Sequence, residues 1–259
     1  MTIRMKLHEA IMFATERHKG QPRKGTEIDY ICHPMEVAQI LTEMRPEDDD
    51  LIIAGILHDV VEDKRATIDE VLQKFGPHVV NLVAAHTHSK EGEWLDRKRR
   101  AIEEVANSNL EVKQLVLADK VSNLRSMYAD YQEIGDELWE RFNAGKDKQC
   151  IYYSEMLDAM EELQYDENTR AAYWEATELF KDIFVKYHID AKAGMLWQEC
   201  DEGTYVFTKD TLKWLPADAP ISADAVEETR AIAETMEDHW VAAAQEQPQT
   251  LPQDTPLDY

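Results

Sequence analysis

The chain has 259 residues, of which 44% are hydrophobic, three cysteines and a formal net charge of −24. This length allows one sizeable core and an appendage. The negative charge argues against nonspecific nucleic-acid binding, which depends on clustered Lys and Arg, and a small anionic substrate would need a local basic pocket. No run of about 18 uncharged apolar residues and no signal-like N-terminal stretch occurs, so we expect a soluble, cytoplasmic protein without membrane contact. The odd number of widely spaced cysteines predicts no structural disulfide.

Residues 4–190 show the spacing of apolar side chains that is typical of helices. We predict helices at 4–18, 34–44, 50–61, 67–85, 95–107, 111–129, 136–142, 146–163 and 168–188. Thr67 and Glu70 form a capping-box pattern, and Gly76-Pro77 interrupts the helix that follows. Residues 19–33 read as a basic loop. The predicted fold class is all-α.

The character of the chain changes after about residue 191. Residues 195–200 and 204–208 flank Asp201-Glu202-Gly203, which predicts a short hairpin. Ser222 is predicted to cap a helix with one apolar face formed by Val226, Thr229, Ala233, Met236 and Trp240. The last residues are rich in Gln, Pro and Thr and contain too few apolar residues to fold alone. We expect a main domain at 1–190, an extension at 191–244 and a disordered tail at 245–259.

An apolar helix beginning at Leu51 ends in four polar side chains. At about 100° per residue, His58, Glu62, Asp59 and Asp63 fall at about 0°, 40°, 100° and 140°, on one face. A lone His-Asp pair is more often a solvated helix end. Four such groups beside a core helix favour a metal site, because buried carboxylates and imidazoles are costly unless they are paired or metal-bound.

Two other segments place polar groups beside apolar helices. His33 precedes Pro34, which is suited to the first turn of a helix, and taken alone it is more often a hydrogen bonder there than a ligand. Asp119, Asn123 and Ser126 form a polar stripe on an otherwise apolar helix, at about 0°, 40° and −20°.

The order His33, His58-Asp59, Asp119 resembles the H…HD…D pattern of HD-domain metal phosphohydrolases. The surrounding sequence resembles the hydrolase domain of RelA/SpoT homologues, and especially the small alarmone hydrolases, over roughly residues 5–188. The segments that carry this resemblance are His18–Lys24, Tyr30–Pro34, Leu57–Asp63, Asp96–Lys98, Ala118–Leu124, Phe142–Lys146 and Tyr152-Tyr153.

The resemblance implies an HD-type helical fold and one divalent metal, usually Mn²⁺ in this family. Its implied ligands are His33, His58, Asp59 and Asp119. Two imidazoles and two carboxylates do not exclude Zn²⁺ or Fe²⁺. The resemblance also implies that Glu62 and Asp63 orient and deprotonate the attacking water. An alternative role for Asp63 is to hold His58 in place.

The same resemblance implies substrate contacts. Arg23 and Lys24 would pack around the base, and Asn123 and Ser126 would contact the ribose region. The candidates for phosphate contacts are Lys90, Lys98, Lys146 and Tyr152. The basic run at 97–100 is equally well explained as the solvated face of a helix. Residues 86–90 depart from the family's pattern, and whether His86 and His88 tune phosphate contacts or lie on the surface stays open.

The implied activity is hydrolysis of the 3′-pyrophosphate of (p)ppGpp to GDP or GTP plus pyrophosphate, which lowers the alarmone level in the stringent response. Other phosphorylated nucleotides, such as the NADPH 2′-phosphate or pppApp, are alternative substrates. A further alternative is an antitoxin-like regulator that binds a protein partner through its acidic tail, since residues 201–259 carry 13 acidic and 3 basic side chains. A synthetase is not expected, because nothing after residue 190 resembles the second catalytic domain of RelA/SpoT proteins.

Overall fold

The computed structural model describes residues 3–87, 91–200, 203–228 and 230–246. The chain divides into two compact units, the first ending at Phe184 and the second starting at Val185. The described part of the first unit is helical. Its helices are α1 (Ile3–Arg17), α2 (Cys32–Met44), α3 (Asp49–Glu62), α4 (Ile68–Phe75), α5 (Pro77–His86), α6 (Trp94–Ala106), α7 (Leu110–Ile134), α8 (Lys146–Asp158) and α9 (Arg170–Phe184), with 3₁₀ helices at Gly135–Arg141 and Glu161–Tyr165.

Helix α3 lies in the core of the first unit, against α2 and α5. Asp48 caps its N-terminus by accepting a hydrogen bond from the Leu51 amide at 3.2 Å. Most of its residues from Leu51 to Val60 are buried. At Gly55 the neighbouring helix comes so close that a Cβ would lie 2.5 Å from Cδ1 of Leu41. This close approach brings the polar end of α3 beside the start of α2.

The predicted interruption at Gly76-Pro77 is confirmed. Thr67 and Glu70 form a complete capping box at the start of α4. Gly76 has a φ of 94°, a conformation that L side chains rarely adopt, and it separates α4 from α5. Pro77 then occupies the first turn of α5, where its missing N–H costs no intrahelical bond.

The second unit contains a five-stranded antiparallel sheet. Its strands are β1 (Lys186–Asp190), β2 (Met195–Cys200), β3 (Gly203–Thr208), β4 (Trp214–Pro216) and β5 (Val226–Glu228), in the order β4-β3-β2-β1-β5. Leu196 pairs with Ile189 on one side and with Phe207 on the other. Helix α10 (Arg230–Glu246) adds Ala233 and Trp240 to the core that these strands form.

The expected all-α class therefore holds for the described part of the first unit, but the extension, expected to be a short hairpin and a helix, is a five-stranded sheet and a helix. The helix predicted at 168–188 ends at Phe184, and β1 begins at Lys186 because that segment pairs with β2 and β5. The predicted hairpin is the β2–β3 pair of this larger sheet. Val226 lies in β5 and not in the predicted helix, and Ser222 donates to Asp190 at 3.0 Å, far before the start of α10 at Arg230. Thr229 and, from residue 247 onward, the predicted tail lie outside the described residues.

The described helices include none that is both long enough and apolar enough to cross a membrane. Cys32, Cys150 and Cys200, all within the described residues, are not joined in disulfides.

Candidate metal centre and substrate cleft

Two buried imidazoles face the same two carboxylates in the first unit. His33 lies in the first turn of α2, and His58 lies near the end of α3. Nε2 of His33 is 3.1 Å from Oδ1 of Asp119 and 3.6 Å from Oδ2 of Asp59. Nε2 of His58 is 3.0 Å from Oδ2 of Asp59 and 3.7 Å from Oδ1 of Asp119. Three helices, α2, α3 and α7, thus bring the predicted ligands together.

The other ring nitrogen of each histidine, Nδ1, forms a hydrogen bond with a neighbouring group. Nδ1 of His58 lies 2.7 Å from the carbonyl oxygen of Gly55, one helical turn earlier, which makes this nitrogen the donor. Nδ1 of His33 lies 2.8 Å from Oγ of Ser122. Because both Nδ1 atoms are occupied in this way, both Nε2 atoms are directed to the carboxylates.

This donor set fits a divalent metal ion. Ligand atoms bound at about 2.1 Å to one octahedral ion lie roughly 3.0 Å apart when adjacent and 4.2 Å apart when opposite. The four distances between the imidazole nitrogens and the carboxylate oxygens range from 3.0 to 3.7 Å. Nε2 of His58 is buried and makes no aligned hydrogen bond within the described part of the chain, although Asp59 is adjacent. A cation bound between these groups would satisfy this nitrogen.

Hydrogen bonds from neighbouring side chains orient both carboxylates. The hydroxyl of Tyr30 donates to Asp59 Oδ2. Lys120 Nζ donates to Oδ2 of Asp119 at 2.6 Å, and Nδ2 of Asn123 donates to Oδ1 at 2.7 Å. Lys120 and Asn123, both on α7, therefore position Asp119.

The pKa values reflect a buried cluster of opposite charges. Burial alone lowers the pKa of His58, but the negative charges of Asp59 and Asp119 raise it well above 6.5. Burial favours the neutral form of both carboxyl groups, yet the pKa of Asp59 is lowered by His58, and that of Asp119 by Lys120 and the two histidines. Both aspartates are consequently ionised and suited to bind a cation at neutral pH.

A chain of hydrogen bonds connects His33 to α9. The hydroxyl of Ser122 donates to Oε2 of Glu36 at 2.7 Å. Arg125 donates to Oε1 of Glu36 at 3.1 Å and forms a bidentate pair with Glu175 at 2.6 and 2.8 Å. A carboxylate thus acts on the imidazole through a serine hydroxyl, and an arginine holds that carboxylate.

Two adjoining cavities, of about 210 and 140 Å³, open beside the cluster and share Tyr30, His33 and Asn123. We call them the metal cavity and the nucleotide cavity, after the ligands that the sequence predicts for their lining residues. The metal cavity is also lined by Asp59, Glu62, Asp63, His86, Lys98, Asp119, Lys120, Tyr152 and Met156. The nucleotide cavity is also lined by Arg23, Lys24, Ser126, Met127, Asp130, Leu138, Arg141, Phe142 and Tyr153. One side of this cleft is therefore acidic and metal-binding in character, and the other is basic and aromatic.

Most of the predicted substrate contacts lie in this cleft. Nη2 of Arg23 is 3.4 Å from Oδ1 of Asn123, and Nζ of Lys24 lies over the ring of Phe142 at 5.2 Å. Nζ of Lys98 lies 4.2 Å from the ring centre of Tyr152. Ser126 lines the nucleotide cavity.

One predicted phosphate contact lies outside both cavities, and another is not among the described residues. Lys146 lines neither cavity, and its ammonium group lies 5.0 Å from the ring centre of Tyr131 and 3.5 Å from Asp136. Lys90 and the neighbouring His88 lie outside the described residues.

Several residues that the structure adds to the site were not singled out from the sequence, among them Tyr30, Lys120, Ser122 and Gln21, and the role of His86 was left open. Lys120 and Ser122 lie between Asp119 and Asn123 in the sequence. Gln21, in the segment His18–Lys24, contacts Asp63. His86, for which a surface position was one alternative, is only 5% exposed. Burial and then the nearby His58 lower its pKa to about 3. The available signal for Lys120 and Ser122 was that they are polar residues close to Asp119 on an otherwise apolar helix.

Comparison with known proteins supports this description of the first unit. Residues 10–147, more than half of the chain, match the family model described as "HD domain". Guanosine-3′,5′-bis(diphosphate) 3′-pyrophosphohydrolase MESH1 of Drosophila melanogaster is 40% identical over 124 residues, which are 47% of this chain and 69% of that protein. The human protein of the same name is 42% identical over 123 residues, with the same coverage of both chains.

Two solved structures share the fold. A metazoan orthologue of SpoT, described as hydrolysing ppGpp, has 29% sequence identity and a TM-score of 0.56, and the match covers 68% of this chain and 94% of the orthologue. The protein lmo0812 of Listeria monocytogenes has 35% identity and a TM-score of 0.51, over 57% of this chain and 96% of its own. Because the family model matches more than half of its length, the chain belongs to the HD domain family, in the group related to SpoT and MESH1.

Proposed function

We propose that this protein hydrolyses the 3′-pyrophosphate of (p)ppGpp, giving GDP or GTP and pyrophosphate. The observation that carries the proposal is the joined cleft, in which a cluster of metal-ligand type adjoins a cavity lined by Arg23, Lys24 and Phe142. The names of the relatives, at 40% and 42% identity, support the same substrate. A free nucleotide as substrate is consistent with a cytoplasmic location.

The metal ligands in this proposal are His33, His58, Asp59 and Asp119, and the proposed ion is Mn²⁺. When bound, a divalent ion makes a coordinated water more acidic and stabilises negative charge on phosphate oxygens. Tyr30, Asn123 and Lys120 hold the two aspartates, and one oxygen of each lies within 3.7 Å of both imidazole Nε2 atoms.

Glu62 and Asp63 are the proposed catalytic residues. They lie at the end of α3 and line the metal cavity together with His33, Asp59 and Asp119. A carboxylate at this position accepts a proton from the water that attacks the phosphorus next to the ribose 3′-oxygen. The bond from that phosphorus to the 3′-oxygen breaks, pyrophosphate leaves, and the 3′-oxygen takes up a proton.

The remaining side chains of the cleft are proposed to bind the nucleotide. Lys24 lies over the aromatic ring of Phe142, and Arg23 lines the same cavity, an arrangement that suits the face and edge of a purine. Asn123 lines both cavities, and Ser126 lines the nucleotide cavity. Both side chains are proposed to contact the ribose. Lys98 and Tyr152 flank the metal cavity and are proposed to contact phosphate, together with Lys90 and Lys146.

The proposal is tested by incubating protein, first stripped with chelator and then reconstituted with Mn²⁺, with ppGpp and separating the products. We expect release of GDP and pyrophosphate that depends on the metal and that Glu62→Ala abolishes. Glu103→Ala is the matched control, because Glu103 is exposed on α6, away from the cleft residues, and this variant should keep full activity.

The same assay includes NADPH and pppApp as competing substrates. Phosphate release from NADPH without turnover of ppGpp would retain the metal site and overturn the substrate. Binding of a protein partner by the acidic second unit, with no nucleotide turned over under any metal, would favour the regulatory alternative.

A further inference from the structure

His86 occupies a position at the metal centre that the proposed set of four ligands does not include. It is the last residue of α5, and its side chain is almost completely buried. The side chain lines the metal cavity together with Asp59, Glu62 and Asp119. A histidine at the end of a helix in an all-helical core usually packs among apolar residues. His86 lies among donor groups of the kind that bind metals.

The geometry relates His86 to two of the proposed ligands. Its Nε2 is 3.9 Å from Oδ2 of Asp119, and its ring centre is 4.9 Å from that of His58. Ligand atoms of His58, His86 and Asp119 all lie within 4.8 Å of one another, and the same holds for Asp59, Glu62 and His86. His86 is therefore within reach of both Asp59 and Asp119.

We propose that His86 is a fifth ligand of the same divalent ion and supplies a third imidazole to the centre. This inference rests on the metal site in the proposed function and deepens it. Opposite ligands of an octahedral ion lie roughly 4.2 Å apart. The 3.9 Å separation between Nε2 of His86 and Oδ2 of Asp119, an oxygen that also accepts from Lys120, already falls within that limit. Five such ligands would leave one position of an octahedral ion for solvent or a phosphate oxygen.

A third imidazole changes the metal preference of the site. Carboxylate oxygens suit Mn²⁺, whereas imidazole nitrogens suit Zn²⁺, Fe²⁺ and Co²⁺, and affinity for nitrogen donors rises from Mn²⁺ towards Cu²⁺ along the first transition series. A centre with three imidazoles and two carboxylates should discriminate more strongly in favour of Zn²⁺ than a centre with two of each. His86 is thus proposed to set metal selectivity.

The first experiment measures the affinities of the full chain for Zn²⁺ and Mn²⁺ by competition with a metal-binding dye, without substrate. In His86→Val we expect the Zn²⁺ affinity to fall by about 10- to 100-fold, because loss of even an indirect metal contact has effects of this size. The Mn²⁺ affinity should fall by a smaller factor. His78→Val is the matched control, since His78 is on the same helix and its side chain is 48% exposed.

Equal losses for both ions in His86→Val, or no loss for either, would overturn the assignment. If the wild type binds two ions per chain and His86→Val binds one, the proposal that His86 binds the same ion as the other four ligands would be overturned. His86→Gln preserves a polar side chain of similar size and should show the same loss of selectivity if the variant with valine proves unstable.

A second measurement needs no variant. In the Co²⁺-loaded wild-type protein, each ligating imidazole gives one strongly shifted N–H proton resonance, so three such resonances are expected. Two resonances would contradict the proposal. Because both experiments report metal binding, they remain informative if ppGpp proves not to be the substrate, and a failed ppGpp assay is distinguishable from a failed ligand assignment.

Discussion

The side-chain amide of Gln21 donates a hydrogen bond of 3.0 Å to Oδ2 of Asp63. Oε1 of the same glutamine lies 3.1 Å from Nδ1 of His18, whose ring packs against Tyr30 at a centroid distance of 4.9 Å. The basic loop before α2 is thereby connected to the end of α3. The direction in which Asp63 faces the metal cavity depends on this distant residue.

Replacing Gln21 should impair turnover more than binding. In Gln21→Leu, Asp63 loses a donor and its carboxylate can rotate, so we expect kcat to fall by about 10- to 100-fold, because small misplacements of catalytic groups have effects of this size. KM for ppGpp and the metal affinity should stay unchanged, and Gln39→Leu, at an exposed position of α2, serves as the control. An equal loss in metal affinity would instead assign Gln21 a purely structural role.

Ser122 is expected to control metal affinity through His33. Ser122→Ala removes the acceptor for Nδ1 of His33 and the link to Glu36, so the metal should bind about 10-fold more weakly. Ser122→Thr retains the hydroxyl and should rescue most of this loss. Ser108→Ala is the control for a serine far from His33. Titration with metal by calorimetry measures the effect, and an unchanged affinity in Ser122→Ala would refute the relay.

Arg23 is expected to act on substrate binding and not on the metal. Arg23→Ala removes a cation from the nucleotide cavity, where it contacts Asn123, and we expect KM for ppGpp to rise by about 10-fold or more. Arg23→Lys retains charge without the planar group and should recover only part of the loss. Steady-state kinetics at saturating metal measures kcat and KM separately for each variant. A fall in kcat at constant KM would contradict the placement of Arg23 at the nucleotide.

The capping box of α4 predicts a pH-dependent contribution to stability. The pKa of Glu70 is lowered from 4.5, first by the hydrogen bond from the Thr67 amide and then by Arg17. Because the pKa is lower in the folded protein, this stabilisation is fully present above pH 4.5 and is lost as the pH falls through the lowered value. We expect Glu70→Ala to lower Tm by a few degrees at pH 7.

The difference in Tm between wild type and Glu70→Ala should then shrink as the pH falls below 4.5. Thermal unfolding followed by circular dichroism at several pH values checks this. A difference that grows towards acid pH would show that another group controls the effect.

Several elements of this protein follow from local sequence. The capping box at Thr67 and the interruption at Gly76-Pro77 are encoded within a few residues, since they depend on side chains that bond their own backbone and on restricted φ angles. The helical spacing of apolar residues in α3 and α7 is equally local. The predicted ligand types also lie on these elements, so their chemistry could be named before their positions were known.

The failed prediction at 168–188 has a different cause. Residues 186–190 form β1 because they pair with β2 and with β5, and β5 lies more than thirty residues further along the chain. Local spacing cannot report such a pairing, because the hydrogen bonds that stabilise the strand come from distant segments. Val226 was assigned to a helix for the same reason.

The sequence by itself determined which side chains bear the chemistry, because imidazole, carboxylate and hydroxyl groups have fixed capacities to bind protons and metals. It also determined most helices of the first unit through their periodicity. The tertiary structure decided which of those groups meet. Only the packing of α2, α3, α5 and α7 brings Ser122 to His33 and His86 to Asp119, because contacts between helices depend on distances that no local pattern encodes.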